Sequence, residues 1–219
     1  NVVDNILRFR WTSDEIGNYY HIDNTSYSYN STGVGHREVF VGIDVISGQM
    51  LWNNLLECES INSSDCIYGT NEGFTDEDGS EFIGLRFSGR LYWDGEPILT
   101  STTEGCFTEC LSIAYLKISP ERDIVWAKLV ENDDFNLNTI EYIYSDGNGG
   151  IIILLSNQEN LTLDGNEIID CAHNPDYGTH HIARIGSTGN LEWHTQIAGD
   201  PYGGSFHSVN VVDNILRFR

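Results

Sequence analysis

Three stretches of the chain share one arrangement of apolar and polar residues around a tryptophan. In each, apolar and polar positions alternate, a short polar turn interrupts them, and the alternation resumes in a second segment that contains the tryptophan. A period of two residues with a central polar turn predicts a β-hairpin. The three stretches are VFVGIDVISGQMLWNNLLE (39–57), LSIAYLKISPERDIVWAKLVE (111–131) and HIARIGSTGNLEWHTQIAG (181–199).

Two more predicted strand pairs precede each tryptophan stretch. The first pairs are VVDNILRFRW (2–11), DEDGSEFIGLRF (76–87) and YSDGNGGIIILL (144–155). The second pairs are YHIDNTSYSY (20–29), LYWDGEPIL (91–99) and LTLDGNEII (161–169). Asp-Asn and Asp-Gly are typical of tight hairpin turns. Helical spacing of apolar residues is absent, so the predicted fold class is all-β.

The units repeat on two length scales. Trp52, Trp126 and Trp193 stand 74 and 67 residues apart, and the decapeptide NVVDNILRFR occurs at 1–10 and again at 210–219. Units of about 70 residues therefore fit three times into one longer repeat. The predicted organisation is three blade-like repeats at 1–70, 71–137 and 138–209, then 210–219 as the first strand of the next copy. Residue 1 resembles the middle of an element, so we expect the chain to be an excerpt of a longer protein.

The duplicated decapeptide is the predicted joint between copies. A unit of four short strands cannot bury both of its faces alone, so it must stack on neighbours. Covalent tandem copies and strand exchange between separate chains both satisfy this pattern, and in each case main-chain hydrogen bonds would link the units. The predicted inter-unit residues are Val2, Val3, Ile6, Leu7 and Phe9, with Val211, Val212, Ile215, Leu216 and Phe218.

The repeated pattern resembles the bacterial β-propeller repeat (SBBP-type) of secreted and surface proteins. Residues 145–199 carry the resemblance best, 113–131 match almost as well, and the first unit (GIDVISGQMLWNNL) lacks the lysine. The resemblance implies propeller-like blades and an exported location, and it brings no catalytic residues. Three blades are too few to close a ring. Either two copies form a six-bladed propeller, or the blades form an open array or filament.

The charge of the chain excludes two classes of partner. The net charge is -22, from 11 basic and 33 acidic residues. Nucleic acids require a basic surface, and anionic membranes attract one. The sequence also shows no apolar run of the length that membrane insertion requires. The predicted partners are therefore other copies of the chain and, as an alternative, glycans.

The cysteines and sequons suit an extracellular or cell-surface protein. Cys58 with Cys66, and Cys106 with Cys110, are close enough in sequence to pair locally, which leaves Cys171 as a free thiol or an intermolecular link. Composition alone yields about three sequons, so glycosylation is permitted and not required. The glycosylation candidates are Asn24, Asn30, Asn62 and Asn160.

Two groups of residues could hold a metal, although each has a simpler explanation. The stretch 170–181 contains Cys171, His173, His180 and His181, but their spacing matches no standard zinc motif. The acidic turns at 75–81 and 145–150 offer oxygen ligands for calcium, yet Asp and Gly are also what hairpin turns require. We therefore assign no metal, cofactor or catalytic residue, and keep calcium as a weaker alternative.

These observations favour a structural protein over an enzyme. The sequence contains no nucleophile elbow, phosphate loop or triad signature. The first hypothesis is an extracellular head-to-tail polymer that forms a fibre or surface appendage. The alternative is a glycan- or protein-binding propeller module of a large secreted adhesin, and a propeller hydrolase ranks last. A filament predicts that 1–10 or 210–219 pairs with another copy.

Overall fold

The all-β prediction is confirmed. The structure is a computed structural model that describes residues 2–3, 5–13, 19–22, 25–28, 37–59, 67–101, 112–132, 139–157, 161–169, 179–197, 209–212 and 215–218. These residues form strands and turns and include no helix. Within them, no helix of sufficient length and apolarity to cross a membrane is found.

Twenty strands follow one another in the described part of the chain. They are β1 (Val2–Val3), β2 (Ile6–Ser13), β3 (Tyr19–Ile22), β4 (Thr25–Ser28), β5 (Arg37–Asp44), β6 (Met50–Glu59), β7 (Ile67–Thr75), β8 (Glu81–Phe87), β9 (Arg90–Trp93), β10 (Glu96–Thr100), β11 (Ser112–Ile118), β12 (Ile124–Asn132), β13 (Thr139–Ser145), β14 (Ile151–Asn157), β15 (Leu161–Leu163), β16 (Asn166–Ile169), β17 (Thr179–Ile185), β18 (Leu191–Ile197), β19 (Val209–Val212) and β20 (Ile215–Phe218).

The strands form three larger sheets and two isolated hairpins. Sheet 1 has the order β1-β2-β5-β6-β9-β10, sheet 2 has β7-β8-β11-β12-β15-β16, and sheet 3 has β13-β14-β17-β18. β3–β4 and β19–β20 each form a two-stranded sheet of their own. None of the sheets closes on itself among the described residues. The chain divides into two compact units: residues 1–68 with 87–102, and residues 69–86 with 103–219.

Sheet membership crosses the predicted repeat boundaries. Sheet 1 combines four strands of the first repeat with the hairpin β9–β10, which lies in the second repeat. Sheet 2 likewise combines β15–β16 from the third repeat with three strands of the second repeat and with β7, which spans the boundary between the first and second repeats. Each six-stranded sheet is therefore completed by a hairpin from the repeat that follows it.

The three tryptophan hairpins turn in the same way, as the sequence predicted. The residue four positions before each tryptophan has a positive φ, with values of 71° at Gly48, 78° at Arg122 and 81° at Gly189. Arg122 is the unusual member, since side chains with a Cβ rarely adopt this conformation. Its guanidinium is buried, with Nη1 3.0 Å from Glu81 Oε2. The pairing of each hairpin also shifts register near this turn.

Sheets 2 and 3 pack face to face in the second unit. Their shared core contains fully buried residues of both sheets. Within this core, Phe82 of β8 contacts two other aromatic rings. The Phe82 ring stacks on Phe74 at 4.8 Å and meets Trp126 at 6.1 Å between ring centroids. The core residues are Phe82, Ile113, Tyr115, Trp126, Val130, Ile143, Ile151, Ile153, Leu155, Leu161, Leu163, Ala183 and Ile185.

We expect Phe82→Ala to lower the free energy of unfolding by about 3–5 kcal/mol, because it leaves a cavity between the two sheets. The measurement is urea unfolding followed by tryptophan fluorescence. Val125→Ala is the control, since Val125 is half exposed in β12 and should cost no more than about 1 kcal/mol. Equal effects of the two substitutions would contradict the assigned core.

Candidate inter-repeat interface

The duplicated decapeptide folds into the same hairpin at both positions. In β1–β2, Val2 lies opposite Leu7 and Val3 opposite Ile6. In β19–β20, Val211 lies opposite Leu216 and Val212 opposite Ile215. These pairs are related by the 209-residue offset of the sequence repeat. The chain therefore contains the first hairpin of sheet 1 twice, in one register.

The two copies of this hairpin differ in what they pair with. β2 is hydrogen-bonded along its whole length to β5, from Ile6 opposite Asp44 to Ser13 opposite Arg37. β20 pairs with β19 alone within the described residues. Of the ten predicted inter-unit residues, the structure describes the side chains of Ile6, which is half-buried, and Leu7, which is 38% exposed. Pairing of either hairpin with another copy stays a prediction.

The hairpin from the following repeat attaches to each tryptophan strand in the same register. On β6, Leu56 lies opposite Trp93 of β9. On β12, Val130 lies opposite Leu163 of β15. Leu56 and Val130 each stand four residues after the tryptophan of their strand, and Trp93 and Leu163 each precede an Asp-Gly pair. The two attachments are thus equivalent position by position.

An aspartate at the hairpin turn fixes each attachment. The main-chain N–H of Asp94 donates to the Leu55 carbonyl oxygen at 2.8 Å, and its carboxylate accepts from the Leu55 N–H at 2.7 Å. Asp164 makes the same two contacts with Leu129, at 2.8 and 3.1 Å. The carboxylate therefore takes the place of a strand carbonyl just beyond the end of β9 or β15.

The second carboxylate oxygen of each aspartate bonds to a side chain one residue earlier on the tryptophan strand. Asn54 Nδ2 donates to Asp94 Oδ2 at 2.6 Å, and Lys128 Nζ donates to Asp164 Oδ2 at 2.6 Å. Both aspartates have a φ of 51°, and the following glycines also have positive φ. This is the backbone of a two-residue hairpin turn of the type that Asp-Gly favours. We call this arrangement the aspartate clasp.

The tryptophans of sheets 2 and 3 differ in exposure. Trp126 is 7% exposed, and its indole Nε1 donates to the Ser187 carbonyl oxygen in the β17–β18 turn at 3.1 Å. Gly189 of that turn permits the approach, since a Cβ there would lie 2.9 Å from Trp126 Cγ. Trp193, at the same position in sheet 3, is 41% exposed. Packing against the turn of the next sheet thus accounts for the buried position of Trp126.

In each of the two acidic turns considered as calcium sites, one aspartate accepts hydrogen bonds from the protein. Asp78 accepts from the Ser80 N–H and hydroxyl within its own turn, at 2.8 and 3.1 Å. Asp146 accepts from the N–H groups of Asn148 and Gly150 and from two nitrogens of Arg184, at 2.7 to 2.9 Å. No group of three or more potential metal ligands is found among the described residues. These hydrogen bonds support the turn interpretation.

The two acidic turns lie on either side of a cleft between sheets 2 and 3. Lys117 lines this cleft and donates to the Gly149 carbonyl oxygen at 2.7 Å, while Ser145 donates to Asp76 at 3.1 Å. Burial alone would raise the pKa of Asp146, but its four N–H donors outweigh burial and hold that pKa below its ordinary value. The cleft is therefore a polar contact between sheets.

Several predicted site residues lie outside the described part of the chain. They are the sequons at Asn24, Asn30, Asn62 and Asn160, and the residues Cys66, Cys106, Cys110, Cys171 and His173. Cys58 is described: it is buried in β6, with its sulfur 3.4 Å from the Ser88 carbonyl oxygen. His181 is buried in β17, and the structure does not describe the side chain of His180. Glycosylation and cysteine pairing stay predictions.

No protein-family model matches this chain, and no curated protein does so either. The interface must therefore be interpreted from its own geometry, and the resemblance to secreted propeller repeats stays a prediction.

The sequence reasoning missed the role of the hairpin aspartates. Asp94 and Asp164 were expected only as turn formers, whereas their carboxylates join one repeat to the sheet of the previous one. A signal was present in the alignment of the three hairpins. Asp23, Asp94 and Asp164 recur at one position, while the next residue is Asn24, Gly95 or Gly165. A turn alone does not require that constancy.

We expect Asp164→Ala to destabilise the second unit by about 1–3 kcal/mol, because the Leu129 N–H loses its acceptor. Asp164→Asn should cost less, since the amide oxygen can still accept. The direct measurement is hydrogen exchange of the Leu129 amide, which should accelerate in the alanine variant. Asp123→Ala, at an exposed carboxylate in the preceding turn, is the control and should leave that amide unchanged. An unaffected Leu129 amide in Asp164→Ala would rule out the clasp.

The lowered pKa of Asp146 predicts a pH-dependent contribution to stability. Its carboxylate stabilises the fold fully above the unfolded pKa, near 3.8, and this contribution is lost as pH falls through the lower folded pKa. Asp146→Asn should therefore be less stable than the parent at neutral pH. The difference should shrink as the pH falls below the unfolded pKa of 3.8 and through the lower folded pKa. A difference in the free energy of unfolding that stays constant over this range would contradict the assignment.

Proposed function

We propose that the protein is an extracellular structural protein whose repeats join head to tail into a fibre or surface appendage. The observation that carries the proposal is the pair of identical hairpins, β1–β2 and β19–β20, formed in one register 209 residues apart. The hairpin β1–β2 begins sheet 1 of this copy. In the proposed fibre, β19–β20 begins sheet 1 of the next copy in the same way. Blade-like packing of the sheets, an exported location and kinship with secreted propeller repeats belong to this proposal.

The joint follows from what β2 does within this chain. β2 pairs with β5 over eight residues, and β5 continues the sheet through β6. β20 has the sequence of the first half of β2, so the β5 strand of a following copy would extend it in the same register. In a tandem protein this strand follows in the same chain. Between separate chains, β19–β20 would replace β1–β2 of the next copy.

Exposed apolar residues of sheet 3 and sheet 1 support the same stacking. The indole of Trp193 is exposed to solvent, whereas the indole of Trp126 is buried against the turn of the next sheet. The equivalent turn of a following copy would be β5–β6, where Val45 and Ile46 are 46% and 81% exposed. A large exposed aromatic and an exposed apolar turn are typical of contact surfaces. Packing of Trp193 against the β5–β6 turn of the next copy would repeat the contact that Trp126 makes with the β17–β18 turn.

The charge of the chain sets the conditions for assembly. A net charge of -22 makes neighbouring copies repel each other at low ionic strength. Salt at physiological concentration screens such repulsion beyond about 8 Å, while short main-chain contacts at the joint persist. We therefore expect the fibre to form more readily as ionic strength rises, which is opposite to a polymer held by surface ion pairs.

The test is electron microscopy and sedimentation of the 219-residue chain at physiological salt, compared with a variant that lacks residues 210–219. We expect filaments from the full chain and monomers from the shortened one, because the joint loses its second hairpin. Both proteins should unfold at similar urea concentrations, since β19–β20 pairs with no other described strand. Asp123→Ala in the full chain is the control and should still form filaments. Closed rings, or filaments from the shortened chain, would contradict the proposal.

A further inference from the structure

We propose that the outer edge of β18 binds the β3–β4 hairpin of the next copy, held by Asp23 in an aspartate clasp. The inference rests on the proposed head-to-tail assembly and names a second contact at the same joint. It uses neither the duplicated decapeptide nor the tryptophan face. Its occupant is a defined segment of this chain, residues 19–28 of a neighbouring copy.

The chain contains both halves of such a contact. In the described residues, β18 pairs with β17 on one side alone, whereas the equivalent strands β6 and β12 each carry a hairpin on the other side. Among the strands that the structure describes, β3 and β4 pair with each other alone, whereas the equivalent hairpins β9–β10 and β15–β16 are attached to sheets. One sheet edge and one hairpin therefore match the two joined pairs seen elsewhere in the chain.

The three hairpins share one turn register. Trp93 lies opposite Glu96 in β9–β10, and Leu163 lies opposite Asn166 in β15–β16. Ile22 lies opposite Thr25 in β3–β4, so all three connections have two residues. Asp23 and Asn24, which fall outside the described residues, form that connection in sequence where the others have Asp-Gly. Asn is, after Gly, the residue that best tolerates the positive φ of such a turn.

The register of the proposed contact follows from the tryptophans. The residue four positions after Trp52 or Trp126 faces the residue just before the hairpin aspartate. Four positions after Trp193 is Ile197, and just before Asp23 is Ile22. Ile197 of one copy should therefore lie opposite Ile22 of the next. An apolar pair occupies this position in both joined hairpins, as Leu56 with Trp93 and Val130 with Leu163.

The same spacing identifies the partners of the Asp23 carboxylate. Asp94 and Asp164 accept from the N–H of the residue three positions after the tryptophan. On β18 that residue is Gln196. The second carboxylate oxygen bonds the side chain two positions after the tryptophan, which on β18 is the exposed hydroxyl residue Thr195. A hydroxyl can donate to a carboxylate as Asn54 and Lys128 do in the other two clasps.

The composition of β18 also suits an edge that receives a strand. Exposed edges invite pairing with other chains, and proteins commonly blunt them with Lys, Pro or bulges. β10, the outer edge of sheet 1, contains Pro97 and a register shift, and the pairing of β16 at the outer edge of sheet 2 is also shifted. β18 (LEWHTQI) contains neither Lys nor Pro, and its Trp193 is exposed. Its outer edge therefore carries neither Lys nor Pro, the two residue types that commonly discourage pairing.

The first test is a disulfide between two chains that carry one introduced cysteine each. Ile22→Cys in one chain and Ile197→Cys in an isotopically labelled second chain are mixed under assembly conditions and oxidised. Directly opposite positions in antiparallel strands have Cβ atoms about 4.5–5.5 Å apart, within reach of a disulfide after small adjustment. Mass spectrometry should find the two introduced thiols joined between light and heavy chains. Tyr19→Cys replaces Ile22→Cys in the control, three residues out of register, and should give at least tenfold less product.

The second test removes the clasp without touching the folded sheets. Asp23→Ala should raise the protein concentration needed for assembly about tenfold, because the Gln196 N–H then lacks its charged acceptor. Asn24→Gly recreates the Asp-Gly of the other two hairpins and should leave that concentration unchanged or lower it. Unaltered urea unfolding of Asp23→Ala would show that its effect belongs to the joint.

The outcomes separate this inference from the function on which it rests. Filaments that show no Ile22–Ile197 link, or that form equally well with Asp23→Ala, would overturn the hairpin contact and leave the fibre intact. A link formed within one chain, and not between light and heavy chains, would indicate a closed molecule and overturn both. Preferential linkage between chains, together with the loss of assembly in Asp23→Ala, would establish the contact.

Discussion

An open β-sheet must satisfy the hydrogen-bonding groups along its outer edge, and this constraint organises the whole repeat. Here two of the three tryptophan strands are completed by a hairpin from the repeat that follows, β6 by β9–β10 and β12 by β15–β16. Pairing the edge with the next repeat links neighbouring repeats by main-chain bonds at both of these positions. In sheet 1 and in sheet 2, two of the six strands come from the repeat that follows.

The aspartate clasp makes this linkage specific. Main-chain pairing alone tolerates slippage by two residues, since every strand offers the same groups. The carboxylates of Asp94 and Asp164 each accept a hydrogen bond from one defined N–H. A hairpin that slipped along the strand would lose this hydrogen bond. At Leu129, whose hydrogen bond is partly buried, the cost of an N–H without a partner then opposes wrong registers. One short acidic side chain thus helps to set the position of each of these two hairpins.

Local sequence patterns predicted the strands and turns but not their assembly into sheets. Alternation in residues such as 111–131 and the Asp-Gly pairs identified hairpins, because these signals depend on neighbours in the chain. Which sheet edge receives β9–β10 depends on residues some 35 positions away, as in the pairing of Leu56 with Trp93, and no local pattern encodes it. The acidic turns suggested a turn first and calcium as a weaker alternative, but no local pattern identified Arg184, on another strand, as a donor to Asp146.

A helical reconstruction of the assembled protein by cryo-electron microscopy tests the central claim most directly, because it counts the strands of every sheet. The account predicts six strands in each sheet along the fibre, with the third sheet of every copy completed by residues 19–28 of the next. A fibre in which the third sheet keeps four strands, or a discrete ring with no axial repeat, would contradict it.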